Sequence, residues 1–178
     1  KAGLLSKPLR DRFGLVFSLN FYSPQELIKI VLNAAAFLEV EINEKEALEI
    51  AIRSRGTPRI AINLIKRARD YASVYKSGKI DSSTIQNTFE SLRIDELGLG
   101  EEDRKLLLLL KSKNGKPLGL TTIQAILNED KTTIEEMIEP YLLSLGCVEK
   151  SPKGRILTSK GFKYLIEKGY QEEGNNLF

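Results

Sequence analysis

CVEKSPKGRILT, residues 147–158, interrupts a chain that otherwise reads as helix. Two short runs, Cys147–Lys150 and Arg155–Thr158, flank the turn SPKG, so the pattern is a β-hairpin. Upstream, Arg104–Ser112 is leucine-rich and helical. Two capping-box patterns follow, TTIQ from Thr121 and TTIE from Thr132. They predict a short helix and a longer one over 133–145 that stops at Gly146. Downstream, Ser159 to about Lys168 predicts a last helix. Helix, helix, helix, hairpin, helix is the order of a winged helix-turn-helix, although small helical domains with a hairpin also serve other ends.

The first half has no strand signal. SPQE at Ser23–Glu26 is a capping box with proline at the first helical position. It predicts a helix to about Leu38. Asn43 opens a second helix to Arg55, stopped at Gly56; Thr57-Pro58 opens a third to about Tyr75; Asp81 opens a fourth to Leu92. Ile60, Leu64 and Ala68 share one helical face. Residues 15–93 are therefore expected to form a four-helix bundle, with 94–100 as a linker, 101–170 as the winged-helix domain and 171–178 as a disordered polar tail.

Composition narrows the chemistry. The 178 residues include no histidine, which removes histidine-based triads and histidine metal ligands. The one cysteine, Cys147, excludes an intrachain disulfide and fits a reducing, cytoplasmic compartment. No apolar run approaches the roughly 20 residues of a membrane span. Net charge is only +3, so any affinity for nucleic acid has to come from local patches.

Three such places stand out. PLRDRFG, residues 8–14, reads as one or two helical turns begun at Ser6. Leu9 and Phe13 share a face, expected to be buried, and Arg10 and Arg12 point to opposite sides of it. One arginine could reach outward to an anion; a local Arg–Asp surface pair is the plainer alternative. In RSRGTPRIA, residues 53–61, Arg59 falls in the first turn of a helix, where the dipole disfavours a cation. An anion shared with that helix end would offset this, as would a nearby carboxylate. At the hairpin, Lys150, Lys153 and Arg155 crowd a turn shaped by Pro152 and Gly154, with Lys131 a further basic candidate. The preceding helix is acidic through Glu135, Glu136 and Glu139. That speaks against deep insertion into a major groove and for the wing as the contact.

AGLLSKPLRDRFG, FYSPQEL, RSRGTPRIA, RARDYA, DRKLLL, TIEEMIEPYLLSLG and KSPKGR occur in the order found in the RuvB family, which this sequence resembles. Its members are the AAA+ motors of bacterial Holliday-junction branch migration. The resemblance runs from Lys1 to about Leu165 and implies a mainly α chain: the end of a large ATPase domain (1–14), the small AAA+ lid, and a winged-helix domain. Neither a G-x-x-x-x-G-K-[ST] phosphate loop nor an acidic Walker B strand is present. With the missing initiating methionine, this reads as part of a longer protein, expected to be inactive as an ATPase alone. The resemblance further implies Arg12 as an arginine finger acting in trans, and Arg59 as the sensor-2 arginine. Tyr22 would be the lid aromatic beside adenine, where packing on Pro24 is its plainer role. Lys150 and Arg155 would be DNA contacts, with lysine at 150 where the family has arginine. ATP with Mg2+ would be bound mainly outside this chain, with no metal site within it. Partners would be DNA, further copies in a hexameric ring, RuvA and RuvC. Two alternatives remain, a clamp-loader-type AAA+ ATPase and a non-enzymatic winged-helix DNA-binding protein.

Overall fold

In the computed structural model, residues 6–10, 12–13, 20–75 and 78–170 are described. The expected tail, and Gly14, which the sequence suggests as the end of the first helical turns, lie outside these residues. The chain is mainly helical, with a four-helix bundle followed by a winged helix, as the sequence leads one to expect.

A short α1 (Lys7–Arg10) precedes the bundle of α2 (Pro24–Phe37), α3 (Glu44–Arg53), α4 (Pro58–Tyr75) and α5 (Ser82–Ser91). Leu9 and Phe13 are exposed, contrary to the expected buried face, and neither joins a core cluster of the described residues. Ser23 caps α2 as its sequence pattern predicts. Its hydroxyl accepts from Glu26 N–H, and the Glu26 carboxylate accepts from Ser23 N–H at 2.8 Å. The Ser23 N–H, and next the Ser23 hydroxyl that also donates to the carboxylate at 2.8 Å, hold the Glu26 pKa below its ordinary value. Leu27, Val31, Ala47, Ile50, Leu64, Ile65, Ala68 and Phe89 fill the core, so the Leu64–Ala68 face of α4 is buried as its period predicts. The bundle also contains a parallel pair that periodicity does not reveal, because each strand has only two residues: β1 (Glu41–Ile42) beside β2 (Lys79–Ile80).

The second core packs α6 (Glu101–Lys111), α7 (Leu120–Leu127), a π-helical stretch Thr133–Ile138, α8 (Glu139–Ser144), the hairpin β3 (Val148–Ser151) and β4 (Gly154–Leu157), and α9 (Ser159–Glu167). Neither expected threonine cap forms. The short helix starts at Gly119, without a side-chain cap. The longer one is capped by Asp130, whose carboxylate accepts from Thr133 N–H at 2.9 Å, so its helical turns begin at Lys131. The π register has a local cause. Pro140 has no N–H for an α-helical bond back, and Glu139 N–H instead reaches Ile134 O, five residues earlier.

Chain direction at the hairpin is set by a close backbone approach. Leu118 and Arg155 exchange N–H···O bonds of 2.9 Å in each direction, adding a bridge to the outer side of β4. Gly154, at φ +136°, allows this, since a Cβ there would lie 2.3 Å from Leu118 O. Gly154→Ala should therefore destabilise the chain by about 2–4 kcal/mol. Urea unfolding measures the loss, and hydrogen exchange should show the Leu118 and Arg155 amides losing protection first.

Candidate nucleotide end and nucleic-acid interface

The α3–α4 turn is built by an unusual backbone. Arg55 has φ +52° and Gly56 φ +67°, two consecutive residues in left-handed space. Glycine is required at 56, where a Cβ would lie 2.6 Å from Phe21 Cβ. Thr57 O then accepts from Ile60 and Ala61, starting α4, and Tyr22 N–H donates to Gly56 O at 2.9 Å. The turn thus places Tyr22 and Arg59 at one end of the bundle. Both side chains are exposed, and no hydrogen bond or ion pair of the Arg59 side chain occurs among the described residues. The nearby-carboxylate alternative for Arg59 therefore finds no partner there. Arg12 is exposed, and its backbone N–H donates to Leu9 O at 3.2 Å. Among the described residues, no hydrogen bond or ion pair joins Arg12 to Tyr22 or Arg59. Among the described residues no group of three or more carboxylate or cysteine side chains gathers to hold a metal ion.

The winged helix presents its cations unequally. In β3–β4, Lys150 lies directly opposite Arg155, a like-charge pairing that is unfavourable unless neutralised. Glu135 and Glu139 supply the neutralisation. Arg155 Nε donates to Glu139 Oε1, and its Nη2 reaches Glu139 Oε2 at 3.1 Å and Glu135 Oε1 at 3.2 Å. The Arg155 pKa is raised, chiefly by the Glu139 hydrogen bond. Lys150 Nζ lies 3.8 Å from Glu135 and 3.9 Å from Glu139, and Lys131 Nζ lies 3.9 Å from Glu135.

Arg155 is thus placed otherwise than the hairpin sequence suggests. Its side chain is only 8% exposed, turned off the wing onto Glu139 at the start of α8 and onto Glu135 before it. Lys131, Lys150 and Lys153 remain exposed, with Lys153 at the tip beside Pro152. The acidity of the helix, read from sequence as speaking against deep insertion into a major groove, goes in part to these pairings: Glu139 is buried and Glu135 half-buried, while Glu136 is exposed. Spacing carried a signal for this: Glu135 and Glu139 are four apart, and two cations face each other across the hairpin.

Sequence reading also missed the junction between the two halves. Arg55 Nη1 and Nη2 both donate to Asp103, whose side chain is 3% exposed, and Arg55 Nε donates to Gly98 O at 2.8 Å. The Arg55 guanidinium carbon lies 5.0 Å from the centre of the Tyr141 ring. Tyr141 Oη donates to Leu97 O at 2.6 Å, and Tyr164 Oη to Asp95 Oδ2 at 2.5 Å. Burial, reinforced by the Asp95 bond, drives the Tyr164 pKa far upward. The expected linker is therefore held from both sides.

Known proteins share this architecture. The family model described as the RuvB AAA lid domain matches residues 22–95, and that of the RuvB C-terminal winged helix domain matches 96–166. The chain belongs to the RuvB family. A subunit of the Holliday junction branch migration complex from Nitratiruptor sp. is 52% identical over 93% of this chain and 49% of its own length. The corresponding subunit from Helicobacter pylori strain G27 is 51% identical over 90% of this chain and 48% of its own. The structure of the Thermotoga maritima RuvB Holliday junction branch migration motor superposes with a TM-score of 0.87, at 46% identity, over 93% of this chain and 56% of that one. The chain thus spans about half the length of the curated relatives it matches. Among the described residues, no helix is long and apolar enough to cross a membrane.

Glu139→Ala would leave Arg155 buried without its main partner and facing Lys150. It should cost about 3–5 kcal/mol in urea unfolding. In a double-mutant cycle, adding Arg155→Met should recover part of that loss, because the unpaired buried charge is then gone.

Proposed function

We propose that the chain is the lid and winged-helix part of an ATP-hydrolysing motor that drives branch migration of Holliday junctions in recombination and repair. The observation that carries this reading is the union, in one chain, of two ends. Arg59 and Tyr22 project from the start of α4 at one end, and Lys131, Lys150 and Lys153 project around the wing at the other. The relatives' shared designation as branch-migration subunits supports it. The hairpin favours it over a clamp-loader-type ATPase, whose collar would be all helical.

In this reading ATP lies between the lid and a large domain that precedes it. Arg59 meets the phosphates from the same subunit, and Tyr22 lies against the adenine. Arg12 reaches the γ-phosphate of the neighbouring subunit and stabilises the charge that spreads over the transferred phosphoryl oxygens. A finger given in trans requires a ring, here a homohexamer, acting in the cytoplasm with RuvA on the junction and RuvC in the resolving assembly. The Mg2+ belongs to the preceding domain, and this chain by itself does not turn over ATP.

DNA contact falls to Lys150 and Lys153, with Lys131 beside them. These are ammonium groups on a short wing, suited to phosphates and to movement over any sequence. The assignment of Arg155 takes a different form. Held by Glu139, it fixes the hairpin against α8 and so sets where the lysines sit, and it touches a phosphate only by exchanging carboxylate for phosphate.

The catalytic test uses the full-length protein. Arg12→Ala should lower ATP turnover by about 10³–10⁵-fold with nucleotide binding retained. Rings mixed from Arg12→Ala subunits and subunits defective in the phosphate loop should regain part of the activity. Absence of recovery in rings shown to be mixed would make Arg12 structural. The interface test is a salt titration of binding on two unrelated duplexes. Lys150→Ala and Lys153→Ala should each reduce the slope of log affinity against log salt by about 0.9, equally on both sequences. An unchanged slope would make the wing a solvated turn, and a loss confined to one duplex would make it a base reader.

A further inference from the structure

The α3–α4 turn touches more than the proposed nucleotide end. Its first residue, Arg55, has its backbone in the left-handed region, while its side chain leaves the lid and enters the winged-helix half. There it meets three separate elements. Asp103 lies in the first turn of α6, where its carboxylate also accepts Gly100 N–H at 2.7 Å and so caps that helix. Gly98 O belongs to the connecting segment. The Tyr141 ring belongs to α8, and the Tyr141 hydroxyl is bonded to the connecting segment in turn. One residue further along the chain, Gly56 O accepts Tyr22 N–H, and Thr57 Oγ1 donates to Arg55 O at 3.2 Å. Arg59 follows within the next helical turn.

The connecting segment is not a spacer that could absorb movement. Asp95 Oδ1 accepts from Leu97 N–H and Leu99 N–H at 2.9 and 2.8 Å, and Leu99 is fully buried. Gly98, at φ +75°, lies so close to the end of α3 that a Cβ would be 2.6 Å from Arg53 O. Arg104 donates to Leu99 O at 2.6 Å and to Arg93 O at 2.7 Å, on either side of the turn.

We propose that Arg55 is a positioning residue that ties the winged helix to the α3–α4 turn, so that displacement of the winged helix is delivered to Arg59 and Tyr22. The left-handed backbone at Arg55 is the reason it can do so. It turns the side chain away from the end of α3 toward Asp103, while the main chain continues directly into α4. A bidentate fork on a buried carboxylate, stacked over an aromatic ring, transmits orientation as well as distance. A lysine in its place keeps the charge but not the fork.

The delivery to nucleotide contacts rests on the function proposed above, whereas the tie itself does not, and two measurements separate them. The first uses this chain with spin labels at Lys29→Cys on α2 and Lys163→Cys on α9; both positions are exposed, and Cys147 is buried with its thiol pKa raised by that burial. The unaltered tie should give one narrow distance distribution. Arg55→Ala and Asp103→Asn should broaden it, with Arg55→Lys intermediate and also serving should the alanine variant fail to fold. Distributions as narrow as the parent's in Arg55→Lys and Asp103→Asn would overturn the tie. The second uses the full-length protein on a junction substrate. Base pairs migrated per ATP hydrolysed should fall about tenfold in Arg55→Lys, a coupling loss within the usual range for linked sites, with ATP turnover in the absence of DNA retained. Unchanged migration per ATP would overturn the delivery. A parent protein without ATP turnover or migration would overturn the proposed function and the delivery with it, while the distance distributions alone decide the tie.

Discussion

The pairing of Arg55 with the buried Asp103 is the interaction on which the arrangement of the two halves depends. Each half has its own apolar core, and the cores do not merge. What fixes one against the other is polar: a fork on a carboxylate, two tyrosine hydroxyls, and a connecting turn wound around Asp95. Polar junctions of this kind specify geometry more sharply than apolar contact, because a small rotation breaks the bonds and leaves buried groups unpaired. The cost of burying Asp103 is offset by its second acceptor role at the start of α6.

A parallel solution operates within the winged helix. Arg155 is enclosed by the Glu139 and Glu135 carboxylates, and the paired charge decides where the hairpin lies. In both places an arginine crosses between elements distant in sequence and ends on a carboxylate. Arg59 at one end and the three lysines at the other stay at the surface, with Lys150 and Lys131 only flanking, at 3.8–3.9 Å, the carboxylates that hold Arg155. Function, in the reading proposed, belongs to the exposed cations and geometry to the buried ones.

Much of the fold was legible in the sequence because its signals are local. The Ser23–Glu26 box, the Gly56 stop before Thr57-Pro58, and the Pro152–Gly154 turn each act within a few residues, and each is present in the structure. The two-residue parallel pair was not legible, being too short for any period, and Asp130 took the cap expected of Thr132 because a carboxylate two residues earlier was better placed. The site divided in the same way. Positions of Tyr22, Arg59, Lys150 and Lys153 at helix starts and in the hairpin could be read locally. Which arginine is exposed and which is buried could not, since Arg55 and Asp103 are 48 residues apart, and Arg155 and Glu139 are 16 apart across a folded hairpin. Charge patterning along a sequence shows that a cation exists, and only the tertiary path shows whether a carboxylate has claimed it.

The π-helical stretch at Thr133–Ile138 gives this helix a phase break. Residues before it and after it do not follow one continuous 3.6-residue screw, and the break falls just ahead of Pro140. The outward-facing turn around Lys131 and the inward-facing turn around Leu142 are therefore set by separate rotations of the same rod. Substitutions on the solvent side of the first turns can accumulate without twisting Glu139 out of reach of the hairpin, so the exposed surface around Lys131 can change while the seat of Arg155 stays put.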